Sequence, residues 1–303
     1  MARDDGDDGG DGAESHDDLH RFETPDEALQ YLRYAGSLKS EEIDIGEATL
    51  ALGLVFLPGV SADRYRQHLK KLCAQAREEY LSRLRMKEED GVELRAQVLR
   101  KIIHEAHGYQ GDAKAYDDLQ NANLVRVIER RKGLPVALGI LYIVAGRALG
   151  WHIDGLNFPG HFIVRLEFEG QRLILDPFRE GLALNAAALR RILKSVAGEG
   201  AELAHEYTEP VSTRDILIRL ANNLKKRYID AEEYAQAVIV VEAMEALAPD
   251  EYRALFDKGV LYVKLGQRPQ AITALEVYIQ KTPDPREKQQ AKALLQQIRA
   301  EMR

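Results

Sequence analysis

His161 and Asp176 are two residues in this sequence whose types and spacing suit acid–base chemistry. Apolar residues alternate with polar ones on both sides of residues 169–170, which predicts a β-hairpin with its turn there. If those two residues form the turn, Phe168 pairs with Gln171. His161 then shares a face with Asp176 as a diagonal neighbour. A one-residue shift would separate them, but in the predicted register the carboxylate can orient the histidine, as in many hydrolytic sites.

The region around this pair lacks a nucleophile for acyl transfer. Cysteine enzymes that catalyse acyl transfer with a Cys–His–Asp triad place the thiol at the start of a buried helix, where the helix dipole favours the thiolate. Residues 135–150 predict such a helix, almost wholly apolar, with Pro135 at its first position and Gly150 just past its end. Residues 83–194 contain no Ser, Thr or Cys, and the single cysteine, Cys73, belongs to another predicted helix. We therefore expect no conventional acyl-enzyme mechanism.

Composition limits the class of protein and its compartment. With 303 residues, 45% hydrophobic and 30% charged, the chain has the length of about two globular domains. Its net charge of -7 argues against nucleic-acid binding, and an apolar run such as residues 134–146 is too short to cross a bilayer. A single cysteine and the lack of a signal-peptide pattern predict a cytoplasmic protein. We therefore expect neither a nucleic-acid partner nor a membrane partner.

Two histidines and the single cysteine could suggest a metal site or a reactive thiol, but we interpret them as structural residues. His104 and His107 lie three residues apart on a predicted helix, whereas zinc metalloproteases space such histidines four apart. We therefore interpret the two histidines as part of a solvated helix face. Cys73, inside a helix, is interpreted as a small core residue. We expect no metal and no cofactor.

The N-terminal part is predicted to be an acidic tail followed by helices. Residues 1–22 are rich in Asp and Gly with almost nothing to bury, which predicts disorder. Thr24, Pro25 and Glu27 form a helix start signal, because these types suit the cap, first and third positions. Apolar residues at helical spacing predict further helices as far as residue 84.

The last third contains a 34-residue repeat. Its matching residues are Tyr228, Ala237, Pro249, Tyr262, Ala271 and Pro283. That period and those residue types are typical of tetratricopeptide helix pairs, and the polar residues 285–301 suit the closing helix. We therefore divide the chain into a tail at 1–22, a first domain at 23–207 and a tetratricopeptide region at 208–303.

Three segments resemble the SirB-type family of transglutaminase-like proteins. They are residues 121–135, residues 157–165 with the phrase Pro-Gly-His-Phe, and Asp-Pro-Phe at 176–178. The resemblance implies an α+β fold, with a mainly helical transglutaminase-like (papain-like) domain that carries a small antiparallel sheet. An all-α tetratricopeptide array is expected to follow. Related sequence also occurs in an F-box-containing protein of animals.

The same resemblance assigns three positions of a catalytic triad. Aligned on Gly150, the chain has Pro135 where active transglutaminase-type enzymes carry their cysteine. His161 and Asp176 match the other two positions. Because proline offers no nucleophile, the resemblance implies a relic of a catalytic site.

These observations favour a non-catalytic protein that binds a protein or peptide partner in a groove between the first domain and the repeats. The candidate ligand-binding residues are His161, Asp176, Arg131, Asn121 and Asn157. The first two either brace the hairpin or line a relic cleft, and the other three either line that cleft or brace loops.

Two other functions fit the same residues. One is a hydrolase or acyltransferase-like enzyme of unconventional mechanism, in which His161 and Asp176 activate water or a nearby Cys73. A separation above about 6 Å between Cys73 and His161 would exclude the thiol version, because nucleophile and base must reach hydrogen-bond range. The other is an assembly module, which predicts an exposed apolar patch on the concave face of the repeats.

Overall fold

The structure, a computed structural model, describes residues 22–302. The predicted acidic tail, residues 1–22, lies outside these residues except for Phe22. That residue is buried, and its ring lies beside the Tyr31 ring and under the Arg66 guanidinium. The described part contains twelve α-helices and six short strands, which confirms the predicted α+β class with an all-α C-terminal array.

Four helices make up the N-terminal part. They are α1 Pro25–Ser37, α2 Ile45–Leu54, α3 Asp63–Arg85 and α4 Val92–Arg100, which continues as a π-helix over Lys101–Ala106. The predicted start of α1 is confirmed, since Thr24 and Glu27 exchange side-chain-to-amide hydrogen bonds. The helix α2 begins at Ile45, because the Asp44 carboxylate accepts hydrogen bonds from its first amides.

Two helices and a short strand pair form the centre of the first domain. They are α5 Leu124–Arg130 and α6 Pro135–Ala148, with β1 Gln110–Gly111 pairing parallel to β2 Lys132–Gly133. The helix α6 is buried on nearly every side, as its apolar sequence predicts. Pro135 occupies the first helical position and Gly150, at φ 76°, lies just past the end, which confirms both predicted boundaries.

A four-stranded antiparallel sheet follows α6. Its strands, in spatial order, are β3 His152–Gly155, β4 Val164–Phe168, β5 Gln171–Asp176 and β6 Leu182–Leu184. Phe168 pairs with Gln171 and Val164 with Leu175, which confirms the predicted hairpin register. The helix α7, Ala186–Ala197, follows the sheet.

The C-terminal helices form the predicted tetratricopeptide pairs. They are α8 Thr213–Asp230, α9 Tyr234–Leu247, α10 Arg253–Lys264, α11 Arg268–Lys281 and the closing α12 Pro285–Glu301. Close packing of α10 on α11 requires a small residue at Gly259, where a Cβ would lie 2.7 Å from the Leu275 side chain.

The array packs onto the first domain through α8 and α9. Apolar residues of these two helices, such as Ile216 and Leu247, belong to the same buried core as α1, α2 and α6. The helices α11 and α12 have a smaller core of their own. The division at residues 207 and 208 therefore stays a prediction. Between residues 22 and 302, no helix is long and apolar enough to cross a membrane.

Candidate ligand-binding cleft

The cleft begins at the N-terminus of α6. Leu134 precedes this helix and gives it no side-chain cap. Pro135 lacks an N–H, so the first amides of the helix are those of Val136 and Ala137, ahead of the intrahelical bond from Leu138 to Leu134. These uncapped amides place partial positive charge at this end of the helix.

His161 reaches the start of α6 because the segment before β4 packs closely on that helix. The Phe162 ring lies against Gly139, where a Cβ would be 2.4 Å from the ring. Both residues are buried. Any larger residue at Gly139 would push this segment away and move His161 from the helix start.

The His161 and Asp176 side chains meet, as the predicted register requires. His161 Nε2 lies 2.9 Å from Asp176 Oδ1, and that oxygen also accepts from the Phe178 amide at 3.1 Å. Asp176 is fully buried, and its Oδ2 has no hydrogen-bond partner among the described residues, with Arg179 Nε 3.7 Å away. The buried carboxylate therefore holds the imidazole in one orientation.

A cavity of about 200 Å³ opens beside His161. Its walls are Tyr116, residues 134–136, residues 160–162, Arg219 and Asn223. Pro135 and His161 thus face one space, as the cysteine and histidine of an active triad would. The last two residues come from α8, so the first domain and the C-terminal helices share the cavity.

Arg219 was not predicted as a site residue. Its Nη2 donates to the carbonyl oxygens of His161 at 2.8 Å and Phe158 at 3.2 Å, and its guanidinium lies 5.5 Å from the Phe162 ring centre. Burial lowers the pKa of this guanidinium. Arg219 therefore positions the His161 backbone while it presents positive charge to the cavity.

Asn121 and Arg131 brace the structure around the cleft rather than line the cavity. The buried Asn121 amide donates to the Ala115 carbonyl at 2.7 Å, and its backbone carbonyl accepts from Leu134 at 2.9 Å. Arg131 Nη1 donates to His68 Nε2 at 2.8 Å and to the Tyr109 hydroxyl at 2.5 Å. Asn121 thus holds the residue before α6, whereas Arg131 belongs to a separate polar cluster.

Asn157 and Cys73 also lie away from the cavity walls. Asn157 is exposed, and its backbone N–H donates to the Glu209 carbonyl at 3.1 Å. Cys73 is half-buried with its thiol 3.9 Å from the Val144 carbonyl, near the other end of α6. Burial raises the pKa of this thiol to about 11. Cys73 is therefore a poor nucleophile in its native position.

The interpretation of His104 and His107 as a solvated helix face was wrong for His104. That ring is buried, with Nδ1 2.6 Å from the Tyr109 carbonyl and Nε2 2.8 Å from the Tyr142 hydroxyl. The π-helical winding of this segment turns it inward. A Cβ at Gly181, φ 70°, would lie 2.2 Å from the same hydroxyl. Within residues 22–302, no group of three His, Cys, Asp or Glu is placed to hold a metal.

The cavity offers binding and proton transfer but no conventional nucleophile. Its wall residues include no Ser, Thr or Cys. His161 supplies a base held by Asp176, while Arg219 and the start of α6 supply positive charge. Such a site can hold a polar or anionic group and fix its orientation.

Comparison with known proteins agrees with this architecture. The family model for the transglutaminase-like superfamily matches residues 63–222, and one for tetratricopeptide repeats matches residues 224–296. A UPF0162 protein of Xylella fastidiosa is 34% identical over 193 residues, which cover 63% of this chain and 69% of that protein.

More distant relatives share the same region. Protein SirB1 of Salmonella typhimurium is 26% identical over 220 residues, which cover 71% of this chain and 78% of that protein. F-box only protein 21 of Pongo abelii is 27% identical over 209 residues, which cover 64% of this chain and 32% of that protein. The chain therefore belongs to the transglutaminase-like superfamily and, within it, to the SirB-type family, as its motifs predicted.

Proposed function

We propose that this protein is a non-catalytic binding module that holds a segment of a protein partner in the cleft between its two parts. The observation that carries the proposal is the make-up of the shared cavity. His161 is oriented by Asp176, and α8 supplies one wall. Pro135, which the family resemblance aligns with the nucleophile position, lines the same cavity. The cavity therefore offers an oriented imidazole and a cation but no nucleophilic side chain.

The thiol version of the enzyme alternative has little support. Cys73 contacts Val144, whereas His161 lies beside Pro135, nine residues earlier on the same helix. At 1.5 Å per residue, that separation is about 13 Å along the helix axis. Since α6 is a continuous buried helix, folding keeps the thiol and the imidazole out of hydrogen-bond range.

A second cavity on α8 supports a partner that extends along the repeats. It has a volume of about 450 Å³ and lies on the face of α8 that presents Ile218 and Asn222, opposite Asp257 of α10. Arg219 and Asn223, one position further along, face the His161 cavity. One extended segment that crosses α8 can therefore reach both cavities.

The assembly-module alternative predicted an exposed apolar patch on the concave face of the repeats. Within the described part of the array, the exposed large apolar side chains are Ile229 and Met302, each near the end of a helix and at most about half exposed. The first lies in α8 and the second at the end of α12, the first and last helices of the array, so they give no support for one continuous apolar patch.

Affinity capture from cell lysate with a cavity-filling variant tests the proposal. Asn223→Trp places a large ring in the cavity, and Lys226→Trp adds the same ring at an exposed position on the same helix. We expect quantitative mass spectrometry to find proteins that wild type and Lys226→Trp retain and Asn223→Trp loses by about tenfold or more. Identical captured proteins for all three would contradict a binding role for the cleft.

A hydrolase that uses water remains the second candidate, because His161 and Asp176 still form an oriented pair. A panel of activated esters and amides tests it with wild type and His161→Ala. We expect equal, background rates for the two proteins. Turnover by wild type that His161→Ala abolishes would favour the enzyme and contradict a purely binding role.

A further inference from the structure

Arg219 is a partly buried cation without a counterion among the described residues. Only its Nη2 forms hydrogen bonds within residues 22–302, and both acceptors are neutral carbonyl oxygens. The ion pairs of the described residues do not include Arg219. A buried charge normally needs an opposite charge, because desolvation disfavours it. The lowered pKa of Arg219, caused by burial, agrees with that cost.

The surroundings of Arg219 add further positive potential. No Asp or Glu is among the nine residues that line its cavity. The uncapped start of α6, with Val136 in the wall, points its amide dipoles into the same space. Asp176 lies behind His161 and is engaged by that ring. The cavity thus has a fixed positive charge, a helix N-terminus and no anionic wall.

We propose that the His161 cavity binds a carboxylate group of a peptide, through an ion pair with Arg219. This inference rests on the proposed binding function and names the chemical class that the cleft recognises. Either a glutamate or aspartate side chain or a C-terminal carboxylate supplies the group. Guanidinium and carboxylate form strong charge-assisted hydrogen bonds, and partial burial increases their strength.

A carboxylate fits the charge of the site better than other anions. One guanidinium balances one negative charge, whereas a phosphate monoester carries nearly two. An amide matches a carboxylate in shape but leaves the Arg219 charge unpaired. The comparison of an acid with its amide therefore isolates the proposed interaction.

The experiment measures binding of two matched peptide pairs to the full-length protein by NMR or calorimetry. One pair is a doubly capped pentapeptide with a central glutamate and its glutamine twin. The other is a tripeptide with a free C-terminal carboxylate and its amide. We expect at least one acid to bind about tenfold or more tightly than its amide, and the pair that shows this identifies the source.

Variants locate the effect at Arg219. Arg219→Gln should abolish the preference for the acid, and Arg219→Lys should keep it at lower affinity because lysine retains the charge. Lys226→Gln removes one charge from an exposed position of the same helix and should leave the preference unchanged. Thermal unfolding of each variant shows whether it is folded. If a variant fails to fold, the ratio of acid to amide affinity measured with the wild-type protein still tests the inference.

Three outcomes with the wild-type protein would overturn the inference. They are equal binding of acid and amide, no binding of either, and tighter binding of inorganic phosphate than of the acids. Equal binding that Asn223→Trp abolishes would leave the cleft a peptide-binding site and reject only the carboxylate. A preference for the acid that persists in Arg219→Gln would place the carboxylate elsewhere.

Discussion

The two ends of α6 differ in the reactive side chains that lie beside them. Beside its first residue, Pro135, lie His161 and the Asp176 that holds it. Beside Val144, nine residues further along, lies Cys73, the single cysteine of the chain. One end has a base without a nucleophile, and the other has a thiol without a base.

The difference shows how position decides the chemistry of a group. At the first end, an uncapped helix N-terminus and Arg219 favour negative charge. At the other end, burial raises the pKa of Cys73 to about 11, so its thiol stays protonated near pH 7. The residue types alone suit catalysis, but the fold keeps the thiol and the imidazole apart. Each end of α6 has its own cavity, of about 200 Å³ beside His161 and about 490 Å³ beside Cys73.

Substitution of Asp176 should have the largest effect on stability. Asp176→Ala removes a fully buried carboxylate, together with its bonds to His161 and the Phe178 amide. We expect a loss of about 3 kcal/mol in the free energy of unfolding, measured with urea. Asp176→Asn, which keeps an acceptor oxygen, should lose about half as much. Equal, small losses in both variants would show that the carboxylate is not part of the supporting structure.

A thiol moved between the two ends would test the comparison directly. In Pro135→Cys combined with Cys73→Ala, the cysteine occupies the first position of α6. Its pKa should be near or below the ordinary value of about 8.5, compared with about 11 for Cys73. We expect iodoacetamide to alkylate it at pH 7 about 100-fold faster than it alkylates wild-type Cys73. Similar rates at the two positions would mean that the helix start gives no electrostatic advantage.

Short-range sequence patterns correctly predicted the part of the site formed by α6, His161 and Asp176. The register of the β4–β5 hairpin follows from its two-residue turn, and the register brings His161 to Asp176. The buried α6 follows from its apolar composition, with Pro135 and Gly150 at its ends. Each of these signals lies within a few residues of the feature that it determines.

The other half of the site depends on contacts between distant parts of the chain. Arg219 follows His161 by 58 residues, on a helix whose repeat pattern predicts an array and not a cavity wall. An arginine at that helical position looks like a solvated one until the packing of α8 is known. Arg131 shows the converse, since it lies within the family-like segment 121–135 but points toward His68 and Tyr109.

His161 and His68 differ in the charge of the group that each one contacts. His161 meets a carboxylate, whereas His68 Nε2 accepts a hydrogen bond from Arg131. Burial, then Arg131, His107 and Lys71, lower the pKa of His68 to about 4. The unfolded chain, with a pKa of about 6.5, binds more protons between these values, so stability should fall as the pH drops from about 6.5 to 4.

The measurement is the urea unfolding free energy at pH 7 and at pH 4.5. We expect His68 to account for about 1 to 2 kcal/mol of the loss, after allowance for its partial exposure. His68→Gln should remove that share, and the burial of His104 and His107 adds a smaller part of the same sign. An unchanged loss in His68→Gln would assign the acid sensitivity to other groups.

Replacement of Cys73 should have the smallest effect. Its side chain is half-buried and makes one weak hydrogen bond, to the Val144 carbonyl. Cys73→Ala should therefore lower the free energy of unfolding by about 1 kcal/mol or less in urea. Capture of partners should match wild type, since this end of α6 is remote from the His161 cavity. A partner that Cys73→Ala loses and Asn223→Trp retains would move the functional site to the opposite end of α6.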